Sequence, residues 1–220
     1  MIHPDERPRD RGLSRIRPFE PERTALLFVD VQNWVLDPAH HPGRPEFYED
    51  VQAFVLPNMI RLLQVARRAG VEVTYTVVEN LTKDGRDRSL DYKLSGFFVP
   101  KGSPLAHIPE PLAPGEDELV FRKTTSSLFN STNFDYVMRN IGIDTIITVG
   151  FLTDQCVDHT IRDGADRNYY MICVHDACAT DTRERHRAAL NAFKGYCRIM
   201  STDEVIAGLE EAVARRAAAQ

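Results

Sequence analysis

Short apolar runs alternate with stretches of helical period along most of this chain. The run "RTALLFVD" (23–30) is continuous and ends in a carboxylate, so it reads as a strand buried on both faces. Over 49–69, apolar residues recur at Val51, Phe54, Val55, Met59, Leu62, Leu63 and Ala66, a helical spacing that Gly70 stops. "VEVTYTVV" (71–78) is a β-branched strand, and "ELVFRK" (118–123) is a third, shorter one. The pattern continues as helix over 134–142, strand over 144–151, helix over 155–166, strand over 168–176, helix over 183–194 and strand over 196–200. A helix over 202–217 closes it, with Thr202 expected as N-cap.

This alternation predicts parallel strands joined by right-handed crossovers, with helices on both faces: an α/β fold in the form of a three-layer α/β/α sandwich. Ligands in such sheets bind beyond the carboxyl ends of the strands. One domain is expected over 21–220, behind an N-terminal arm over 1–20. Residues 79–117 depart from the pattern as a long loop insertion with Pro100, Pro104, Pro109, Pro111 and Pro114. Loops of that length in compact domains are usually functional lids or interface pieces.

Composition narrows the classes. The 220 residues suffice for a sizeable core, and 43% hydrophobic with 27% charged residues is ordinary for a soluble protein. A net charge of −5 offers no basic footprint, so neither a nucleic acid nor an anionic membrane is expected as partner. No apolar run approaches the roughly 20 residues that span a bilayer. The first 20 residues mix arginines with acids and carry no apolar stretch, so no secretory signal is read and a cytoplasmic protein is expected.

Four cysteines stand at 156, 173, 178 and 197, with neither a C-x-x-C pair nor histidines at zinc spacing. Cys173 and Cys197 lie in apolar strands and read as core. Cys178 reads as packing in the loop "HDACATD". Cys156 differs, because it follows a strand and opens a helix.

Asp30 and Lys123 also end strands, and a parallel sheet lines such ends along one edge. The trio makes coherent chemistry. A thiolate is the nucleophile, and a helix N-terminus lowers a thiol's pKa. Asp30 can act as general base, Lys123 can stabilise the ionised carboxylate, and backbone N–H groups of Leu152 and Cys156 can form an oxyanion hole. The matching reaction is acyl transfer through a thioester, ended by water. Taken singly, each residue has a plainer reading: Asp30 as a turn residue, Lys123 as a solvated charge, Cys156 as core. Two other classes stay open, a non-catalytic α/β binding or regulatory protein and a redox-sensing thiol.

Three stretches together resemble the isochorismatase-like cysteine hydrolases. They are "LLFVDVQN" with its D-x-Q, "KTTSSLFNSTNFDYVMRNIGI" behind the lysine, and "VGFLTDQCVDHTIRDGADRNY" with T-D-x-C-V, in the family's order over about 22–205. The resemblance implies a catalytic triad of Asp30, Lys123 and Cys156, and a non-proline cis peptide between Phe151 and Leu152. It also implies a six-stranded parallel sheet in the order 3-2-1-4-5-6 and a homo-oligomer, dimer or tetramer. Family members that cleave the isochorismate vinyl ether typically lack the thiol, so Cys156 points to C–N hydrolysis of a small amide, carbamoyl or ureido substrate. A nicotinamidase would carry an Asp and several His after the second strand. "TVVENLTKDGRDRSLDYK" has no histidine, and the His40–His41 pair is a weak ligand signal. Neither metal nor cofactor is expected.

Candidate substrate contacts come from loops above the trio: Gln32, Trp34, Glu79, Asn80, Phe129, Asn130 and Gln155. Simple packing is the competing reading for Trp34 and Phe129. Arg162 and Arg86 are candidates for a substrate carboxylate, with a solvated charge as the competing reading. His159 reads as a structural or rim residue.

Overall fold

The computed structural model describes residues 13–218. Of the arm expected over 1–20, residues 1–12 lie outside the described residues. Six strands form one parallel sheet: β1 (Thr24–Val29), β2 (Glu72–Val78), β3 (Leu119–Lys123), β4 (Thr145–Phe151), β5 (Tyr170–Ala179) and β6 (Cys197–Met200). Their order is β3-β2-β1-β4-β5-β6, as expected. The principal crossover helices are α1 (Leu56–Ala69), α2 (Phe134–Asn140), α3 (Asp158–Asp166) and α4 (Arg183–Phe193), and α5 (Thr202–Ala218) follows the last strand.

The period of two explains how a fully buried strand serves two cores. Leu26 and Phe28 of β1 pack with Leu62 and Leu63 of α1 and with Val205 and Leu209 of α5. Ala25, Leu27 and Val29 face the other way, onto Phe134 and Met138 of α2, Ile161 of α3 and Phe193 of α4. No helix among the described residues is long and apolar enough to cross a membrane.

Several boundaries differ from expectation for local reasons. Helical structure runs without a break from 45 to 69, because Pro45 supplies a preformed first turn and a π-helical turn, Val51–Val55, leads into α1. α5 is capped by Ser201 instead of Thr202. The Glu204 amide donates to Ser201 Oγ, and the Ser201 amide donates to Glu204 Oε2, a capping box. Thr202 instead donates through its hydroxyl to Asp176 Oδ1. β5 continues past 176 through a bulge, so Cys178 lies on a strand, opposite Gly150.

Gly150 is what lets β1 and β4 meet at their carboxyl ends. Its φ is +125°, and a Cβ there would stand 2.2 Å from the Val29 carbonyl oxygen. The strand order reverses between these two strands, which opens the crevice where such sheets bind ligands.

The insertion over 79–117 is folded. It contains a short helix (Leu90–Leu94) and two single turns, and it buries Tyr92, Val99 and Leu112. A cleft of about 430 Å³ at the opposite edge of the sheet, beside Arg17, Tyr170 and Arg198, contains none of the converging catalytic candidates.

Candidate active site

Three strand ends bring Asp30, Lys123 and Cys156 together. Asp30 follows β1 with φ at 54°, a left-handed conformation that Asp tolerates better than most residues. Its amide donates to the Thr76 carbonyl, and its Oδ1 accepts the Thr76 hydroxyl at 2.8 Å. Lys123 is the last residue of β3 and is completely buried. Cys156 lies in a π-helical turn, Thr153–Val157, that precedes α3. Such turns recur at functional sites. The Phe151–Leu152 peptide before it is cis.

Lys123 Nζ stands 2.9 Å from Asp30 Oδ2 and 3.3 Å from Cys156 Sγ. It also donates to the Tyr92 hydroxyl and to the Thr125 carbonyl, each at 2.9 Å. An ammonium has three hydrogens, so four neighbours share them. Tyr92 OH donates in turn to Thr125 O at 2.9 Å and lies 3.6 Å from Cys156 Sγ. Tyr92 is not among the sequence candidates. It comes from the insertion, on a helix capped by Ser89 Oγ, and its ring is fully buried.

Burial dominates the electrostatics. It pushes the Cys156 thiol up to about 11, Lys123 pulls it down, and Asp30 raises it again. The acidic thiol expected from a helix N-terminus is therefore not found. Burial also opposes the charge on Lys123, but Asp30 and the sulfur overcome it and hold the ammonium well above its ordinary value. A fully buried lysine needs such partners.

A small cavity opens on Asp30 and Cys156. Its walls include Trp34, His41, Arg44, Phe97, Phe151, Leu152 and Gln155, and its volume is about 20 Å³, room for one water. Of the sequence candidates, Trp34 and Gln155 line this cavity. Arg44, Phe97 and Gln155 also border an open polar groove of about 560 Å³, which Asn130 and His159 line.

The other expected contacts are engaged elsewhere. The Gln32 side chain donates to the Val78 and Leu105 carbonyls and accepts the Val78 amide, so it ties the end of β1 to β2 and the insertion. Glu79 Oε2 pairs with Arg122 at 2.5 Å, and its Oε1 accepts the Gly102 amide. Asn80 is buried at the start of the insertion, where its backbone N–H donates to Val99 O and its side-chain Nδ2 has no partner among the described residues. Phe129 packs on Phe134 and Tyr169 in the core. Arg162 pairs with Asp158, and Arg86 is exposed beside Asp84.

The guanidinium in the cavity wall is Arg44. Its Nε pairs with Asp181 Oδ1 at 2.7 Å, and its side chain is only 15% exposed. Asp181 also pairs with Arg185, whose Nη2 lies 2.5 Å from Asp154 Oδ2 in the nucleophile turn. Thr153 Oγ1 and His186 Nδ1 stand 2.9 Å apart, so α4 braces that turn twice. His41 meets Trp34 edge-on, and its buried Nε2 has no partner among the described residues. Among those residues, no three His, Cys, Asp or Glu side chains cluster to hold a metal ion.

A family model of the isochorismatase domain matches residues 24–204. The chain is 28% identical to the ureidoacrylate amidohydrolase RutB of Acinetobacter baylyi over 193 residues, covering 80% of this chain and 79% of that protein. It is 30% identical to an N-carbamoylsarcosine amidase from an Arthrobacter species over 166 residues, covering 73% of this chain and 60% of that one. Among solved structures, a cysteine hydrolase from Pseudomonas syringae pv. phaseolicola superposes with a TM-score of 0.76 at 30% identity, over 90% of this chain and 97% of that one. An N-carbamoylsarcosine amidase from Thermoplasma acidophilum superposes with a TM-score of 0.67 at 25% identity, over 82% of this chain and 97% of that one.

Proposed function

The chain belongs to the isochorismatase family, and on that premise we propose that it is a cysteine amidohydrolase. It cleaves a C–N bond of a small amide, carbamoyl or ureido substrate through a thioester at Cys156. One observation carries the reading: a carboxylate and a thiol share one buried ammonium at a cavity, Asp30 at 2.9 Å and Cys156 at 3.3 Å from Lys123 Nζ.

The geometry supports a proton transfer that keeps the buried charge constant. At rest the thiol carries its proton and the Asp30 carboxylate faces Lys123. When Asp30 takes that proton, the negative charge moves to sulfur and still faces Lys123. A transfer of this kind avoids a net change of charge in a low-dielectric site. Sulfur then attacks the substrate carbonyl carbon. The resulting oxyanion meets the backbone N–H groups of Leu152 and Cys156. Asp30 returns the proton to the leaving nitrogen, and the C–N bond breaks. Water, deprotonated by Asp30, attacks the thioester. The C–S bond breaks, and the thiolate regains its proton.

The relatives named for ureidoacrylate and N-carbamoylsarcosine chemistry support an amide or ureido substrate. Among the described cavity-lining residues, Arg44 is the one cation. Its guanidinium favours a substrate with an anionic group beyond the scissile bond. Trp34 and Phe97 offer flat walls to a planar ureido group. The test is an ammonia-release screen over carbamoylated amino acids, ureido acids and uncharged amides. Ammonia from a member of this panel, lost on Cys156 alkylation by iodoacetamide, supports the reading. No release from any member, with Cys156 labelled only after denaturation, favours a non-catalytic α/β protein.

A further inference from the structure

We infer that Tyr92, from the insertion, is a hydrogen-bond donor to the nucleophile: its hydroxyl serves the Thr125 carbonyl at rest and turns to Cys156 Sγ once the thiolate forms. The inference rests on Cys156 being the nucleophile.

The geometry allows this exchange without moving the ring. Tyr92 OH is 2.9 Å from Thr125 O and 3.6 Å from Cys156 Sγ, within reach for an O–H to sulfur contact. Its oxygen already accepts from Lys123 Nζ at 2.9 Å, so its one hydrogen is free to choose between the two acceptors. Thr125 O keeps the Lys123 ammonium as donor when the phenol turns away, so no carbonyl is stranded. The ring is held by Phe97, and the ammonium meets it at the hydroxyl edge.

The exchange also answers a shortage. Lys123 has three hydrogens for Asp30 Oδ2, Tyr92 OH, Thr125 O and Cys156 Sγ, and the sulfur contact is the longest at 3.3 Å. A new thiolate therefore gains from a second donor, and a hydrogen bond to a charged group is the strong kind. The phenol is suited to the task. Burial, reinforced by the nearby sulfur and Asp30, holds it well above its ordinary value, so it stays protonated. The proton that leaves sulfur goes to Asp30, and the Tyr92 O–H bond never breaks. Among the described residues, Lys123 from β3, Asp30 after β1 and Tyr92 from the insertion stand closest to Cys156 Sγ, and His41 and Arg44 face it across the small cavity.

Tyr92→Phe removes the hydroxyl and keeps the ring. The measurement is the iodoacetamide alkylation rate of Cys156, followed by peptide mass mapping from pH 6 to 10 on folded wild type and variant. Tyr92→Phe is expected to slow alkylation near neutral pH by roughly tenfold or more and to move the profile to higher pH. Superimposed profiles, with a reactive wild type, overturn Tyr92's role and leave the nucleophile standing. A wild-type thiol that reacts only after denaturation overturns both. If Tyr92→Phe does not fold, 3-fluorotyrosine placed at 92 keeps the hydroxyl and makes it a better donor. That profile is expected to move to lower pH, and an unmoved profile overturns the proposal.

Discussion

Lys123 and Asp30 form an ion pair with 0% and 3% of their side chains exposed, Nζ to Oδ2 at 2.9 Å. One strand, β2, lies between β1 and β3, and the parallel sheet places their carboxyl ends on one side. Removing one partner of a buried pair leaves the other uncompensated. Lys123→Met is therefore expected to cost about 3–5 kcal/mol of stability, read from urea unfolding, and to abolish turnover. Asp30→Asn keeps the shape and three Lys123 contacts, so it is expected to abolish turnover at a smaller stability cost. Turnover retained by either folded variant contradicts a catalytic role for the pair.

Arg44 separates charged from uncharged substrates. Arg44→Met is expected to raise KM for a carboxylate-bearing ureido substrate by roughly ten- to a hundredfold. KM for an uncharged amide is expected to change little. Steady-state kinetics on matched pairs decide the matter, and equal changes for both contradict an anion-reading role.

Much of this architecture is legible in the sequence because local rules and the final fold agree. The continuous apolar runs 23–30 and 144–151 read as strands buried on both faces, which puts Asp30 and Cys156 at strand carboxyl ends; that these ends are neighbours follows from the sheet order, which the family resemblance implies and the structure shows. Lys123 is legible as the end of a short strand. Tyr92 is not, because it lies in an aperiodic, proline-rich stretch, and only the Ser89-capped turn and tertiary packing carry its hydroxyl to Lys123. Gln32 and Glu79 mislead for a shared reason. A polar residue after a strand reads as a ligand contact, yet here it satisfies backbone groups or an arginine. The thiol's acidity is not legible either, because the helix start suggests a lowered pKa, whereas burial decides it.

His41 gives the fold a pH signature. Burial, then Arg44 and His40, lower its pKa from 6.5 to about 4. Between those values the unfolded chain binds a proton that the folded protein refuses, so stability falls as pH drops through this window. It is full above about 6.5 and levels off below about 4. Burial lowers His186 in the same direction. His41→Asn is expected to flatten the slope of unfolding free energy against pH between 4 and 6.5 while leaving the value at pH 8 nearly unchanged. An unaltered slope contradicts a half-buried, neutral His41.

The central claim is that Cys156 forms the bond to the substrate's acyl group. Its most direct test compares ammonia release by wild type and Cys156→Ala on the best substrate from the panel, with circular dichroism to confirm that both are folded. A folded Cys156→Ala with no release above the uncatalysed background is the predicted result. A folded Cys156→Ala that releases ammonia at the wild-type rate contradicts it.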